Sequence, residues 1–175
     1  PAQDAIPPMA HVIQPVFPPD AFAVIDGRRY TPNSSGDIDI VLPPGNYKMM
    51  LTCAKRCIRQ TISLSVDDSG RTVTRDVVSL DWADASLTVS PPDGVSVYFV
   101  ARRLDDGSSR TIHLVSRAPN AITGFNTFGR PVVLEVYAIP KNHTLNSYSQ
   151  SALESAKIAS TRVSIDPGES KNVKF

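Results

Sequence analysis

Apolar and polar residues alternate along most of this chain with a period of two. Asp37-Ile38-Asp39-Ile40-Val41-Leu42 keeps the alternation until its end. Tyr47, Met49 and Leu51 then fall on one face, and Lys48, Met50 and Thr52 on the other. Ile58, Ile62, Leu64 and Val66 alternate with Arg59, Thr61, Ser63 and Ser65. Extended backbone sends successive side chains to opposite faces, so each run reads as a half-buried strand. Gln60 is the one polar residue on the apolar face and is placed at the rim of a sandwich.

Turn residues punctuate these runs. Asp26-Gly27 suits a hairpin, and Pro44-Gly45 a tight turn in which proline presets the first corner and glycine takes the second. Asp67-Asp68-Ser69-Gly70 ends one strand, and Arg71 to Leu80 reads as the next, with Val78, Leu80 and Trp82 on one face. Further on, Val95, Val97 and Phe99 share a face, Asp105-Asp106-Gly107-Ser108 turns, and Arg110 to Val115 returns. Arg117 to Arg130 reads as irregular. Val132, Leu134, Val136 and Ala138 alternate with Val133, Glu135, Tyr137 and Ile139, and both faces are apolar enough for a central strand. Ser151-Ala152-Leu153-Glu154 fits a capping box, which predicts a short helix over Ala152 to Lys157. Ala159 to Ile165 and Lys171 to Phe175 complete the strands, either side of the Asp166-Pro167-Gly168-Glu169 turn.

The fold class expected is all-β: two small antiparallel β-sandwich domains, immunoglobulin- or transthyretin-like, in tandem behind a Pro-rich N-terminal tail. The tail is placed at 1–15, the first sandwich at 16–82 and the second at 83–175. His11 to Phe17 is read as an edge strand at most, because proline cannot donate to a ladder. Trp82 marks the boundary and is expected to be largely buried there. Pro91-Pro92-Asp93-Gly94 echoes Leu42-Pro43-Pro44-Gly45, through distant repetition of the two halves or through convergent turn chemistry.

Val24-Ile25-Asp26-Gly27, then Thr31-Pro32, then Leu42-Pro43-Pro44-Gly45-Asn46-Tyr47-Lys48-Met49 resembles the PEGA domain, over roughly Val16 to Leu80. That resemblance implies a small β-sandwich outside the membrane of a bacterial surface protein or sensor. Cys53-Ala54-Lys55-Arg56-Cys57 departs from it at the hairpin tip, where the family carries an aromatic. In the second half, Phe128-Gly129-Arg130-Pro131 through Tyr137, then Ala159 to Glu169 ending in Pro167-Gly168-Glu169, resembles the periplasmic sandwich lipoprotein of the type VI secretion membrane complex. In that family these stretches flank a helical insertion.

Cys53 and Cys57 are the two cysteines. They could form a disulfide across the hairpin tip, remain free thiols, or contribute to a metal or redox site that lacks nearby ligands. The disulfide is the preferred reading. Closing so short a loop stabilises by about 2 kcal/mol in the chain-entropy model. It also implies an oxidising compartment, the periplasm. Lys55, Arg56 and Arg59 make the tip basic and are the candidate contacts for an acidic partner surface.

Other chemistry is sparse. His11, His113 and His143 lie far apart, and Asp37 with Asp39, Asp67-Asp68 and Asp105-Asp106 read as strand or turn carboxylates. No nucleophile motif, phosphate loop or zinc motif is present. No catalytic residue, cofactor or metal is therefore assigned, and no enzyme activity or small-molecule ligand is expected. A net charge of +1 gives no field for nucleic acid or a membrane surface. Membrane association would come only through a tether outside this chain, which reads as a mature form or an excised soluble part. The function expected is a non-catalytic structural or protein-binding module of a bacterial cell envelope, extracytoplasmic, with protein partners. A secretion-associated lipoprotein and a carbohydrate- or peptidoglycan-binding sandwich are the alternatives. The last needs an exposed aromatic platform, for which Tyr30, Tyr98, Tyr137 and Tyr148 are the candidates.

Overall fold

The computed structural model describes residues 6–104, 113–115 and 121–175, with 113–115 and 121–124 described by their backbone course alone. The expected turn at 105–108 and the first part of the strand ending at Val115 lie outside the described residues. The chain divides into two compact units, one up to Asp81 and one from Trp82.

The first unit holds β1 (Ala10–Phe17), β2 (Phe22–Ile25), β3 (Arg28–Tyr30), β4 (Asp37–Leu42), β5 (Gly45–Thr52), β6 (Gln60–Val66), β7 (Thr72–Thr74) and β8 (Val78–Ser79). One sheet has the order β4-β1-β7, with β8 continuing along β1; the other is β3-β2-β5-β6. Asp26 and Gly27 take φ 48° and 77°, the left-handed pair that a two-residue hairpin requires between β2 and β3. Leu42-Pro43-Pro44-Gly45 instead carries the chain from one sheet to the other, since β4 pairs with β1 and β5 with β2 and β6. Val12, Val16, Ile38 and Ile40 of the first sheet and Ile25, Met49, Leu51 and Leu64 of the second are buried. Each such side chain contributes at most about 1.5–3 kcal/mol through burial.

The expected 1–15 tail is corrected by β1, which starts at Ala10 and lies at the centre of its sheet rather than at an edge. It pairs antiparallel with β4 and parallel with β7 and β8. Gln14 makes this possible. The Arg75 N–H donates to the Ile13 carbonyl at 2.9 Å and the Leu80 N–H to the Phe17 carbonyl at 2.8 Å. Alternate residues of β1 therefore turn their backbone groups towards β7 and β8, and at Pro15 that side has no N–H. The fully buried Gln14 side chain supplies the missing donor: its Nε2 donates to the Asp76 carbonyl at 2.9 Å and to the Pro15 carbonyl at 2.8 Å. Its Oε1 accepts from Arg75 Nε at 3.1 Å. The partner strand bulges here, with Ile13 opposite Thr74 but Val16 opposite Val78. The single strand expected over Arg71 to Leu80 is accordingly two short ones.

The second unit holds β9 (Asp84–Ser90), β10 (Val97–Arg103), β11 (His113–Val115), β12 (Ala121–Asn126), β13 (Val132–Pro140), α1 (Gln150–Ala156), β14 (Ala159–Ile165) and β15 (Ser170–Lys174). Its sheets are β12-β9-β15 and β11-β10-β13-β14. Counted from its own first strand, this order is that of the first unit up to β7: the fourth, first and seventh strands in one sheet, and the third, second, fifth and sixth in the other. The first and last strands run parallel in both. The Pro-Pro-Gly echo falls at non-equivalent connections and is convergent turn chemistry. A different recurrence is in register: Pro18-Pro19-Asp20 joins β1 to β2, and Pro91-Pro92-Asp93 joins β9 to β10.

β13 is buried on both sides, as its two apolar faces imply. Val132, Leu134, Val136 and Ala138 join the main core with Leu87, Phe99 and Ile165. Tyr137 and Ile139 face the other way, beneath Leu153 and Ala156 of α1. The helix is capped by Ser149, whose Oγ accepts from the Ala152 N–H at 3.3 Å, not by Ser151. Glu154, the residue a capping box would use, is turned to Tyr137 and Lys157 instead. β12 occupies part of the stretch read as irregular, because a register shift between Ile122 and Phe125 hides its alternation. Trp82 is half-buried rather than largely buried; its indole lies where any side chain on Gly129 would sit.

Replacing Gln14 by leucine keeps the volume and removes the stand-in donor. We expect a loss of about 1–3 kcal/mol, the cost of a buried carbonyl left unpaired. Gln60→Leu, at a half-buried site with one 3.3 Å bond to the Ser79 carbonyl, should cost much less. Urea denaturation of both variants measures the difference, and equal midpoints would contradict this account of β1.

Candidate functional site

The two units share a strand order and differ at the connection between their fifth and sixth strands. In the first unit this is the short segment 53–59. Cys53 and Cys57 are disulfide-bonded with Cα atoms 5.2 Å apart, and both are buried. Ala54 takes a left-handed φ of 57° inside the ring, where the Arg56 N–H donates back to the Cys53 carbonyl at 3.4 Å. The Ile58 N–H donates to the Asp81 carbonyl at 2.8 Å. Covalent and backbone constraints therefore fix this loop at both ends.

Its charges are not those expected. Arg56 Nη1 lies 2.7 Å from Asp20 Oδ2, so Asp20, the acidic end of the Pro-Pro-Asp turn, neutralises one of the three cations. Half-exposed, the pair contributes on the order of 0–1 kcal/mol. Lys55 and Arg59 remain exposed, with exposed Ile58 between them in sequence. Ile58 had been counted on the inward face; it precedes the strand, which begins at Gln60.

In the second unit the same connection is the longer segment 141–158, which includes α1. A polar network lies beneath the helix. The Tyr137 hydroxyl, on a side chain without exposed surface, donates to Glu135 Oε2 at 2.9 Å and approaches Glu154 Oε1 at 3.3 Å. Lys157 pairs with Glu154, donates to Ser160 Oγ at 3.0 Å, and sits 5.8 Å from the centre of the Tyr137 ring. Arg162 Nε lies 3.7 Å from Glu135 Oε1. Burial, then the hydrogen bond and charge of Glu135, push the Tyr137 phenol far above its ordinary range. The Lys157 hydrogen bond holds the Glu154 carboxyl below its ordinary value. A phenol locked in its protonated form, between carboxylates already engaged by cations, pins α1 and is not poised as a base or nucleophile. The Glu135-x-Tyr137 spacing on an apolar strand face was the available signal for this network.

Of the tyrosines offered as a carbohydrate platform, Tyr137 is inaccessible, Tyr30 and Tyr98 are half-buried, and Tyr148 is exposed. His11 Nε2 contacts Asp39 Oδ1 at 2.8 Å, across the β1–β4 pair. His113 lies on β11 and His143 in the 141–158 segment. Among the described residues, no three or more His, Cys, Asp or Glu side chains gather to hold a metal ion. Nor is any described helix long and apolar enough to cross a membrane.

No family model matches the chain, and no curated protein does. Among solved structures it is similar to the Bacillus anthracis TIE protein at 10% identity and a TM-score of 0.49, over 96% of this chain and 33% of that one. It thus spans about a third of that protein's length. A candidate adhesin from Bacteroides ovatus matches at 12% identity and a TM-score of 0.32, over 96% of this chain and 93% of that one. A leucine-rich repeat protein from Bacteroides thetaiotaomicron matches at 8% identity and a TM-score of 0.26, over 95% of this chain and 26% of that one.

The raised Tyr137 phenol makes stability depend on alkaline pH. The unfolded phenol ionises near pH ~10, and the folded one does so higher. Its contribution is complete below about pH 10 and is lost as pH rises towards the folded value. Urea midpoints from about pH 9 to about pH 11.5 should fall above pH ~10, and less steeply in Tyr137→Phe. Tyr98, also raised by burial, keeps some slope in that variant. Superimposable profiles would show that Tyr137 is not the coupled group.

Proposed function

We propose that this chain is a pair of tandem β-sandwich modules of a bacterial cell-envelope protein, working outside the cytoplasm by binding other proteins rather than by catalysis. The observation that carries this reading is the repeated strand order together with the contrast at the connection between the fifth and sixth strands. Two scaffolds alike in topology present, at the same place, a disulfide-closed loop in one and a pinned helix in the other. Binding surfaces commonly reside on such loops, held by a rigid framework. Stiffening a loop before binding reduces the ordering cost of the complex. The disulfide supports an oxidising location, for which the periplasm is our assignment. The PEGA resemblance of the first unit accords with the same setting.

The second unit favours a narrower reading. The support for it is the sequence resemblance of Gly129-Arg130-Pro131 through Tyr137 and of Pro167-Gly168-Glu169 to the type VI secretion lipoprotein, with α1 in the segment between them. In that reading the partner belongs to a secretion complex, and segment 141–158 makes the contact.

Capture from cross-linked envelope extract, followed by mass spectrometry, tests both. Arg56→Glu would break the Asp20 pair and confuse charge with folding, so the useful variant is Lys55→Glu with Arg59→Glu. We expect it to lose captured partner in a salt-dependent manner with an unchanged melting temperature. Cross-links through Lys141 and Lys157, with capture unaffected by that variant, would favour the secretion reading. Full capture without cross-links to either connection would reject both connections as the contact.

A further inference from the structure

Sheet edges expose unpaired backbone groups, and proteins blunt them with brevity, charge, bulges or proline. Most edges of this chain are blunted. β3 and β7 have three residues each. β12 is interrupted by its register shift. β4 carries Asp37 and Asp39, and β15 carries Lys171 and Lys174. β14 carries Arg162, and Lys171 Nζ donates to its Ser164 carbonyl at 2.7 Å.

Among the edges formed by described residues, β6 is the exception. It has seven residues, Gln60-Thr61-Ile62-Ser63-Leu64-Ser65-Val66, with no charge and no proline. It runs in unbroken register against β5 and ends the order of its sheet. Beside it the sandwich opens. A cavity of about 210 Å³ lies between Leu64 and Val66 of β6 and Val73 and Arg75 on the other sheet. A second, of about 360 Å³, lies between Ile62 and the stretch from Thr74 to Val78. Val73 and Val77 are large apolar residues left exposed on this side.

We propose that β6 is a self-association edge: two copies of the chain pair β6 to β6, antiparallel, about a two-fold axis through Ser63. A two-fold axis demands that the surface complement itself. In this register Ser63 meets Ser63, Thr61 meets Ser65 and Ile62 meets Leu64. Hydroxyls then oppose hydroxyls on the outer face; on the inner one Ile62 opposes Leu64, with a Gln60–Val66 pair at each end of the ladder. The flanks complete the match. Exposed Arg59 of each copy faces exposed Asp67 of the other, giving two opposite-charge pairs and no like-charge contact. Lys48, beside Ser63 on β5, lies three strand spacings from its image, about 14 Å, beyond a Debye length of about 8 Å. The product is one continuous eight-stranded sheet, with Val73 and Val77 at its seam. One seven-residue ladder covers less than the roughly 1,000 Å² of a stable interface, so the dimer is weak and reversible.

Sedimentation equilibrium of the purified chain tests the proposal. We expect concentration-dependent dimerisation, weakened at least about tenfold by Ser63→Lys, which sets two ammonium groups against each other. Arg59→Asp and Asp67→Arg should each weaken it alone. Mixed in equal amounts they should associate again, because the mixed dimer has an opposite-charge pair at both flanks. Ser63→Cys should form a linked dimer under mild oxidation, faster than the exposed Ser34→Cys. Melting temperatures show that each variant folds. A chain monomeric at about 1 mM, a dimer indifferent to Ser63→Lys, or a mixture that fails to recover would each overturn the proposal.

Discussion

The first unit depends on a side-chain amide standing in for a backbone one. β1 is the strand its sheet is built on, flanked by β4 on one side and by β7 and β8 on the other. A buried backbone carbonyl without a donor costs about as much as one or two good hydrogen bonds contribute, so proline is confined to strands with a free side. Pro15 has no free side. Gln14 resolves the conflict from the adjacent position, satisfying two carbonyls and receiving Arg75 in return. The bulge between β7 and β8 is the geometric counterpart of that exchange, and it brings Asp76 within reach.

This explains why the pattern of apolar residues located most strands and yet misplaced β1. Alternation reports which face a side chain occupies, and it marked β4, β5, β6 and β14 because each has an inner and an outer face; β13 was marked by two apolar faces instead. It says nothing about which strands are neighbours. The prolines of 1–19 were given their usual weight, and a single glutamine outweighed them. β12 was lost for a related reason: a bulge shifts the phase, and a period-two pattern cannot survive a phase shift. The kinship of the two units was hidden too. The echo that drew notice, Pro-Pro-Gly, joins non-equivalent strands, while the in-register one, Pro-Pro-Asp, differs between the units in what its aspartate does. In the first unit that aspartate holds Arg56.

The candidate site was legible in its covalent part and not in its electrostatics. Two cysteines four positions apart in a β-rich chain point to a closed loop whatever the rest does. The charge of that loop depends on Asp20, thirty-six residues away, and no local reading supplies such a partner. The network under α1 illustrates the same limit. Glu135 and Tyr137 were placed on the correct face of β13, but their burial follows from a helix whose docking is set by Leu153 and Ala156.

One connection also decides the fate of one edge. In the second unit, 141–158 is long enough to lay a helix over the outer face of β13, and Lys157 at its end reaches Ser160 at the start of β14. Lys171 then occupies the Ser164 carbonyl further along the same strand. In the first unit the corresponding segment is drawn tight by the disulfide, and its Ile58 N–H is held by the Asp81 carbonyl. A loop closed within five residues has nothing left with which to cover the strand that follows it. The rigidity of the Cys53–Cys57 loop and the bareness of β6 therefore share a cause. A longer, unlinked connection could shield that edge; the short linked one leaves Gln60 to Val66 open along its whole length.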